Sequence, residues 1–219
     1  MKTKHLSMIV IGLFLLPVCL HAQPRSIHTN LHYKFIGCPV LQTGYATGWA
    51  AGVAMMVGWK ENTCPDIHSV LQRAGGSYLS RYNSRQAVSC DELFELYKRL
   101  GMKTVKEFNP TIEGWRTILA GGPVLTTLAN YNQQGHVVFV NDLYEDTEQV
   151  RTTIGFFNPS SGRQESLEVE NFLYNYGTTA AYCNVHFTYW PDESLNEVFK
   201  LLLDAEPNIP APSNFSVKP

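Results

Sequence analysis

The segment from Gln42 to Trp59, QTGYATGWAAGVAMMVGW, constrains the fold more than any other part of the chain. From Trp49 onward almost every position is apolar, so an α-helix formed by this segment would be apolar on all its faces. A surface helix needs a polar face, and this helix has none. We therefore predict a central buried helix, entered through a turn at Thr47 and Gly48, with the rest of the domain packed around it.

The first 22 residues have the pattern of an export signal. Two lysines precede a short apolar run, and the small residue Ala22 ends the segment. This order predicts a secretory signal peptide over residues 1–22. The run is shorter than the roughly 20 apolar residues that a membrane-spanning helix needs. We therefore expect a secreted or periplasmic protein that is not inserted in a membrane after the signal is removed near Ala22.

The charge balance argues against two classes of partner. The chain carries 17 basic and 19 acidic side chains, for a net charge of −2 at pH 7. Loss of the signal peptide removes two lysines and no acidic residue, which makes the mature chain more acidic. Nucleic acids and acidic membrane surfaces attract basic proteins. Neither is expected to bind here.

Four cysteines follow the signal peptide, at Cys38, Cys64, Cys90 and Cys183. An even number in an exported protein permits two disulfides, although the sequence leaves their connectivity open. As a first guess, we expect Cys64 to pair with Cys90, because both lie in the first half of the chain. The sequence has no C-x-x-C pair and its histidines are scattered, so we expect neither a metal site nor a cofactor.

Helical patterns fill the first half of the chain and strand patterns fill the second. Helices are predicted over residues 65–74, from a capping box at Ser89 to Leu100, and from Pro110 to Gly121. Beyond Pro123, stretches rich in β-branched and aromatic residues predict strands, and one further helix interrupts them. The strands are predicted at residues 124–128, 137–143, 150–157 and 181–189, and the helix at 168–176.

This order predicts an α+β domain over residues 23–205. Its helical lobe would cover about residues 40–122, and an antiparallel β-sheet lobe would cover about residues 123–190. The proline-rich tail, residues 206–219, shows no periodicity and is predicted to be extended.

Two polar residues stand at predicted strand ends in the second half. His136 directly precedes the strand that begins at Val137, and Asn158 follows the strand that ends at Phe157. A histidine can accept the proton of a nucleophile, and an amide on its other ring nitrogen can fix its tautomer. Each residue also has a plainer interpretation, as a histidine at the rim of a sheet and as a turn-forming asparagine before Pro159.

The order of these features resembles that of the papain-like cysteine peptidases. Their bacterial members include secreted effector proteases of plant pathogens and bacteriocin-processing peptidases, whose helix motif reads approximately Q-T-T-G-M-S-C-W-A-A-A. The segment Gly121-Gly122-Pro123 also resembles the family's entry into its second lobe. The resemblance covers roughly residues 36–190 and implies a two-lobed papain-like fold. The residues that match the helix motif are Gln42, Thr43, Trp49, Ala50 and Ala51.

The resemblance implies a role for each matched site residue. Gln42 would donate its amide to the oxyanion, His136 would take the nucleophile's proton, Asn158 would orient His136, and Trp49 would line the binding cleft. The family's nucleophilic cysteine directly precedes the tryptophan. That position is Gly48 in this chain, and a glycine has no side chain that could ionise or attack.

Three functions remain open. We favour an exported pseudopeptidase that binds a peptide or a partner protein in its cleft, because Thr47-Gly48 forms a plausible natural helix entry. Thr47 is a poor substitute nucleophile, since its hydroxyl lacks a dedicated base. The second function is a secreted cysteine peptidase whose catalytic cysteine was replaced by Gly48. The third is a structural secreted domain with coincidental motifs, in which His136 and Asn158 would lie far from Gly48.

Overall fold

A computed structural model describes residues 38–106, 109–129, 135–146, 151–178, 183, 186–191 and 200 of the chain. The predicted signal peptide and the predicted C-terminal tail lie outside this described part. Within it, no helix is long and apolar enough to cross a membrane.

The central helix forms where the sequence predicts it. Helix α1 spans Gly48–Glu61, and every residue from Gly48 to Gly58 is buried. It ends at Asn62, whose left-handed backbone (φ 51°) lets its N–H bond the last carbonyl groups of the helix. Three further helices of the first half follow it in the chain. They are α2 (Ile67–Ala74), α3 (Gly76–Asn83) and α4 (Cys90–Arg99).

Side-chain caps fix where several helices begin. The capping box predicted at Ser89 is present, since the Ser89 hydroxyl accepts from the Glu92 N–H and the Glu92 carboxylate accepts from the Ser89 N–H. Helix α5 (Ile112–Gly121) begins two residues after Pro110, because the Thr111 hydroxyl caps it through the Gly114 N–H. Helix α6 spans Val169–Thr178.

The strands of the described part form one six-stranded sheet, and all its strand pairs are antiparallel. The strand order is β1-β6-β2-β3-β4-β5. The strands are β1 (Lys103–Lys106), β2 (Val124–Ala129), β3 (Gly135–Asp146), β4 (Arg151–Asn158), β5 (Arg163–Glu168) and β6 (His186–Tyr189). Together with the helices that precede it, this sheet confirms the predicted α+β fold class.

The sequence did not predict α3, β1 or β5. The two missed strands lie at the outer edges of the described sheet, and their sequences, KTVK and RQESLE, are mostly polar. Edge strands carry charged side chains that discourage pairing with other molecules, and this removes the apolar alternation by which strands are recognised. Strand β1 also comes from the region predicted to be a purely helical lobe.

Helix α1 covers one face of the sheet at very close range. A Cβ atom added to Gly52 would lie 2.7 Å from Cγ1 of Val137 in β3, so only glycine permits this contact. Val137, Phe139 and Leu125 therefore share a core with α1 through α4. Val138, Val140 and Leu128 belong to a second core, formed with α5 and α6 on the other face. We call these the α1 face and the α5–α6 face.

The expected disulfide between Cys64 and Cys90 is wrong. The bonds join Cys38 to Cys64 and Cys90 to Cys183, each with Cα atoms 5.4 Å apart. The chain after α1 returns to the segment before it, which brings Cys64 to Cys38. Cys90 is the first residue of α4 and lies beside the segment that leads into β6, so its partner comes from the second half of the chain.

Candidate functional site

Helix α1 begins at the position that the sequence analysis singled out. Gly48 is its first residue and Thr47 precedes it, fully buried. The Thr47 hydroxyl donates to the Gly44 carbonyl at 2.8 Å and accepts from the Gly44 N–H at 3.0 Å. Both hydrogen bonds stay inside the turn, so the hydroxyl neither caps the helix nor points out as a nucleophile.

Gln42 lies directly against position 48. If Gly48 carried a Cβ atom, Oε1 of Gln42 would be 2.7 Å from it, which is shorter than any normal contact. The Gln42 amide therefore occupies the space where a side chain at position 48 would begin. Any larger residue there would displace this amide.

The turn after β4 completes this side of the site. The Gln42 N–H donates to the Pro159 carbonyl at 2.9 Å, and Cβ of Pro159 lies 3.9 Å from the Cβ position of Gly48. The backbone conformation of the β4–β5 turn thus fixes the loop that carries Gln42. The sequence order alone gave no sign of this contact.

Trp49 belongs to the core more than to a surface cleft. Its side chain is 5 % exposed, it packs against Tyr78, and its indole N–H donates to the Gln86 carbonyl at 3.2 Å. These contacts anchor the start of α1 against the other helices of the first half.

His136 projects from the opposite face of the sheet. It pairs with Leu128 of β2, and directly paired residues of antiparallel strands point to the same side. Leu128 belongs to the core of the α5–α6 face, whereas Val137, the next residue along β3, faces α1.

Burial affects the protonation of the His136 ring. Its Nδ1 atom is buried and has no hydrogen-bond partner among the described residues. Burial lowers the pKa of His136, while the Glu165 carboxylate and a hydrogen bond with the Leu128 backbone act in the opposite direction. The ring is therefore held mainly in its neutral form at neutral pH.

Asn158 takes part in a hydrogen-bond network on the same α5–α6 face. Its Nδ2 donates to the Glu165 carboxylate at 3.0 Å, and its Oδ1 accepts from the N–H and the hydroxyl of Ser160 at 3.0 and 2.6 Å. Ser161 donates to the other Glu165 oxygen at 2.6 Å. Both ends of the Asn158 amide are thus occupied within the β4–β5 turn.

Glu165 is the polar residue of this region that the sequence analysis missed. It pairs with Phe156 across the β4–β5 ladder and so reaches the turn that Asn158 begins. The sequence signal for this turn was a run of turn-forming residues before a polar strand, Asn158-Pro159-Ser160-Ser161-Gly162. Gly162 adopts the positive φ of 65° that a tight turn requires.

The described residues contain no group of three or more histidine, cysteine or acidic side chains that could hold a metal ion. The candidate site residues considered above are one glycine position, two amides and one imidazole, at Gly48, Gln42, Asn158 and His136. Gln42 and Gly48 lie at the start of α1, and Pro159, which follows Asn158, contacts both of them.

Comparison with known proteins found a similar solved structure and a matching family. The peptidase domain of Streptococcus ComA, a bifunctional ABC transporter of a quorum-sensing pathway, is similar in structure, with a TM-score of 0.46 and 14% sequence identity. The match covers 70% of this chain and 97% of that one. No curated protein sequence matches the chain. The family described as papain-like cysteine protease AvrRpt2 matches residues 28–177, well over half of the sequence. The chain therefore belongs to this family of papain-like cysteine proteases.

Proposed function

We propose that this protein is a non-catalytic papain-like protein that binds a peptide, or an extended segment of an exported partner, without cleaving it. The observation that carries the proposal is at position 48. Gly48 has no nucleophile, and the Gln42 amide oxygen fills the place where a nucleophilic side chain would be attached. Peptide cleavage by a papain-like protein requires a thiolate at this point.

Among the described residues, neither the neighbouring hydroxyl nor any cysteine is suited to replace the missing thiol. The Thr47 hydroxyl is buried and satisfied by the Gly44 backbone. Cys38 and Cys64 are bonded to each other, and so are Cys90 and Cys183, so none of them is a thiolate. These bonds support binding without turnover.

The general base of a peptidase must also reach the nucleophile, through a hydrogen bond or one water molecule. His136 projects from the α5–α6 face, while Gly48 begins the helix that covers the other face. The Asn158 amide is bound to Glu165 and Ser160. These bonds of the Asn158 amide support a protein in which restoring the thiol alone does not restore hydrolysis.

The loop that carries Gln42 offers an apolar surface for a peptide. Leu41 is 58 % exposed and Tyr45 is 72 % exposed, on either side of Gln42 in the sequence. A Cβ atom on Gly162 would lie 3.2 Å from Cδ1 of Leu41, so the β4–β5 turn packs closely against this side chain. Exposed apolar side chains next to a supported loop are typical of binding surfaces.

The test compares the protein with its Gly48→Cys variant, using a mixed peptide library and a thiol-directed electrophile. The matched control is Gly76→Cys, because Gly76 is also the first residue of a helix and has open space around its Cβ position. We expect peptide binding by all three proteins, no cleavage, and no faster labelling at position 48 than at position 76. Mass spectrometry of the two native disulfides checks that the added thiol has not exchanged with them.

Two outcomes would overturn the proposal. Cleavage by Gly48→Cys that is lost when His136→Ala is added would identify a peptidase centre that lacks only its thiol. Absence of binding by any peptide, with the fold intact, would favour a structural domain.

A further inference from the structure

The side chain of Arg85 lies against the loop that carries Gln42. A Cβ atom on Gly44 would lie 3.3, 3.5 and 3.7 Å from Cδ, Cγ and Cβ of Arg85, so the stem of this arginine runs along the backbone of the loop. Nε is bonded directly to Cδ, so the guanidinium begins beside Gly44, which is one residue from Tyr45 and two from Gln42. Arg85 itself is exposed and can be reached by a ligand.

The backbone of Arg85 has an unusual conformation. Its φ of 53° lies in the left-handed region, which disfavours a long side chain and suits glycine or asparagine. The other non-glycine residue with a positive φ in the described part is Asn62. The Arg85 N–H donates to the Tyr82 carbonyl and the Gln86 N–H to the Arg81 carbonyl, both at 2.9 Å. An arginine held in such a conformation points to a use of its side chain.

The turn that carries Arg85 is also fixed to helix α1. The indole N–H of Trp49, the second residue of α1, donates to the Gln86 carbonyl at 3.2 Å. On the other side of the contact, the Gly44 N–H and carbonyl are both bonded to the Thr47 hydroxyl. Because both backbones are held, a ligand that binds the guanidinium has little further ordering of the protein to offset.

Arg85 differs from most arginines of the described part, which pair with carboxylates. These pairs are Arg73–Glu61, Arg81–Glu92, Arg99–Glu95, Arg116–Glu145 and Arg151–Glu168. Within the described chain, Arg85 and Arg163 have no carboxylate partner. The sequence of residues 38–60 and 83–89, which form this surface, contains no acidic residue. The surface is therefore locally positive, on a chain whose net charge is −2.

The chemistry of the surface indicates what it would bind. The guanidinium is a planar fork that matches the two oxygens of a carboxylate. Leu41 and Tyr45, which are 58 % and 72 % exposed, lie on the same loop and offer apolar area beside it. An extended segment with an acidic side chain and neighbouring apolar side chains is complementary to both features.

We propose that the surface beside Gln42 selects a peptide segment with an acidic side chain, and that Arg85 binds its carboxylate. Apolar side chains of the same segment pack on Leu41 and Tyr45. This inference rests on the proposed function, because it names the class of peptide that the Gln42 loop binds. An acidic segment is repelled by an acidic protein as a whole, so its selection depends on the local positive charge of Arg85.

The test uses pools of eight-residue peptides in which one position at a time is fixed as Glu, Gln or Lys. An uncharged fluorophore at the amino end and an amide at the carboxyl end make the fixed side chain the charge that differs between pools. Affinity for the whole protein is measured by fluorescence polarisation at low salt. We expect the best Glu pool to bind about two- to five-fold more tightly than its Gln counterpart, and the Lys pool to bind more weakly. Salt at about 0.5 M should reduce this preference.

Three variants assign the preference to one side chain. Arg85→Gln should remove it and leave the affinity for the Gln pool within about two-fold. Arg163→Gln is the matched control and should keep the preference, because Arg163 is also exposed, is likewise unpaired in the described chain and lies beside Asn158 in the β4–β5 ladder. Arg85→Asn removes the same charge and suits the left-handed backbone, so it should lose the preference while Tm stays equal or rises.

The outcomes separate this inference from the function on which it rests. Equal affinity of the Glu and Gln pools would overturn the inference and leave the proposed function standing. Retention of the preference by Arg85→Gln, or its loss in Arg163→Gln as well, would show that Arg85 is not the selecting group. Loss of binding to every pool by Arg85→Asn, with a lower Tm, would assign Arg85 to the folding of the loop. No binding of any pool by the unchanged protein would overturn the proposed function and this inference together.

Discussion

The two faces of the sheet hold the two halves of the predicted site, and they differ in what fixes their residues. On the α1 face, Gly48 and Gln42 are placed by close packing and backbone hydrogen bonds, including the bond from Gln42 to Pro159. On the α5–α6 face, His136 and Asn158 are placed by strand register and by a polar network of their own. The first pair is held by contacts around the start of α1, whereas the second pair is held by contacts within the sheet and the β4–β5 turn.

The difference shows how sensitive such a site is to strand register. Side chains alternate along a strand, so one residue decides which face a histidine occupies. Val137 lies on the α1 face and His136 does not, although they are neighbours in the sequence. A pattern of residue types in the correct order is therefore compatible with two quite different sites.

The first prediction concerns the link between the two halves of the chain. The Cys90–Cys183 bond closes a loop of 93 residues, whereas Cys38–Cys64 closes one of 26. Longer loops lose more entropy on closure, so replacing Cys90 and Cys183 by serine should lower the free energy of unfolding by about 4–5 kcal/mol. Replacing Cys38 and Cys64 should cost about 1 kcal/mol less. Urea unfolding without reductant measures both.

Loss of the Cys38–Cys64 bond could instead lower the free energy of unfolding more than loss of the Cys90–Cys183 bond. The start of α1 would then depend on its own loop and not on the link between the two halves of the chain.

The second prediction concerns the contact between α1 and β3. In Gly52→Ala the new methyl group would meet Cγ1 of Val137, whose branched side chain has few alternative rotamers. Overpacking of a core costs about 1–3 kcal/mol, and alanine regains up to about 1 kcal/mol of helix propensity. We expect a net loss of about 1–2 kcal/mol in the free energy of unfolding, measured with urea.

Gly76→Ala is the matched control, because Gly76 is also helical and nothing lies within 4 Å of its Cβ position. It should leave stability unchanged or raise it by up to about 1 kcal/mol. Equal losses in the two variants would mean that the close approach of α1 to β3 does not limit position 52.

These contacts explain which features the sequence could predict. The apolar segment after Trp49 is compatible only with a buried helix. Ser89 and Glu92 form a capping box, which is a local sequence motif. The disulfide partners and the polar edge strands depend on where distant segments meet, which no local pattern encodes. The residue types of the candidate site could be read from the chain, but the face that His136 occupies and the role of Glu165 follow from strand pairing.

The last and smallest effect concerns the charge of His136. Burial lowers its folded-state pKa below the usual value of 6.5, and Glu165 opposes that shift. The unfolded chain then binds a proton more readily, so this group's contribution to stability is complete above about pH 6.5 and falls as the pH drops toward the folded pKa. Glu165→Gln should lower the folded pKa further and extend this loss to lower pH, as followed by NMR of the imidazole ring.

Glu168→Gln, an exposed change on the same strand, should leave the titration of His136 unchanged. If both variants shifted it equally, the charge of β5 as a whole would set the protonation of His136, and the network of Asn158 and Glu165 would be separate from the ring.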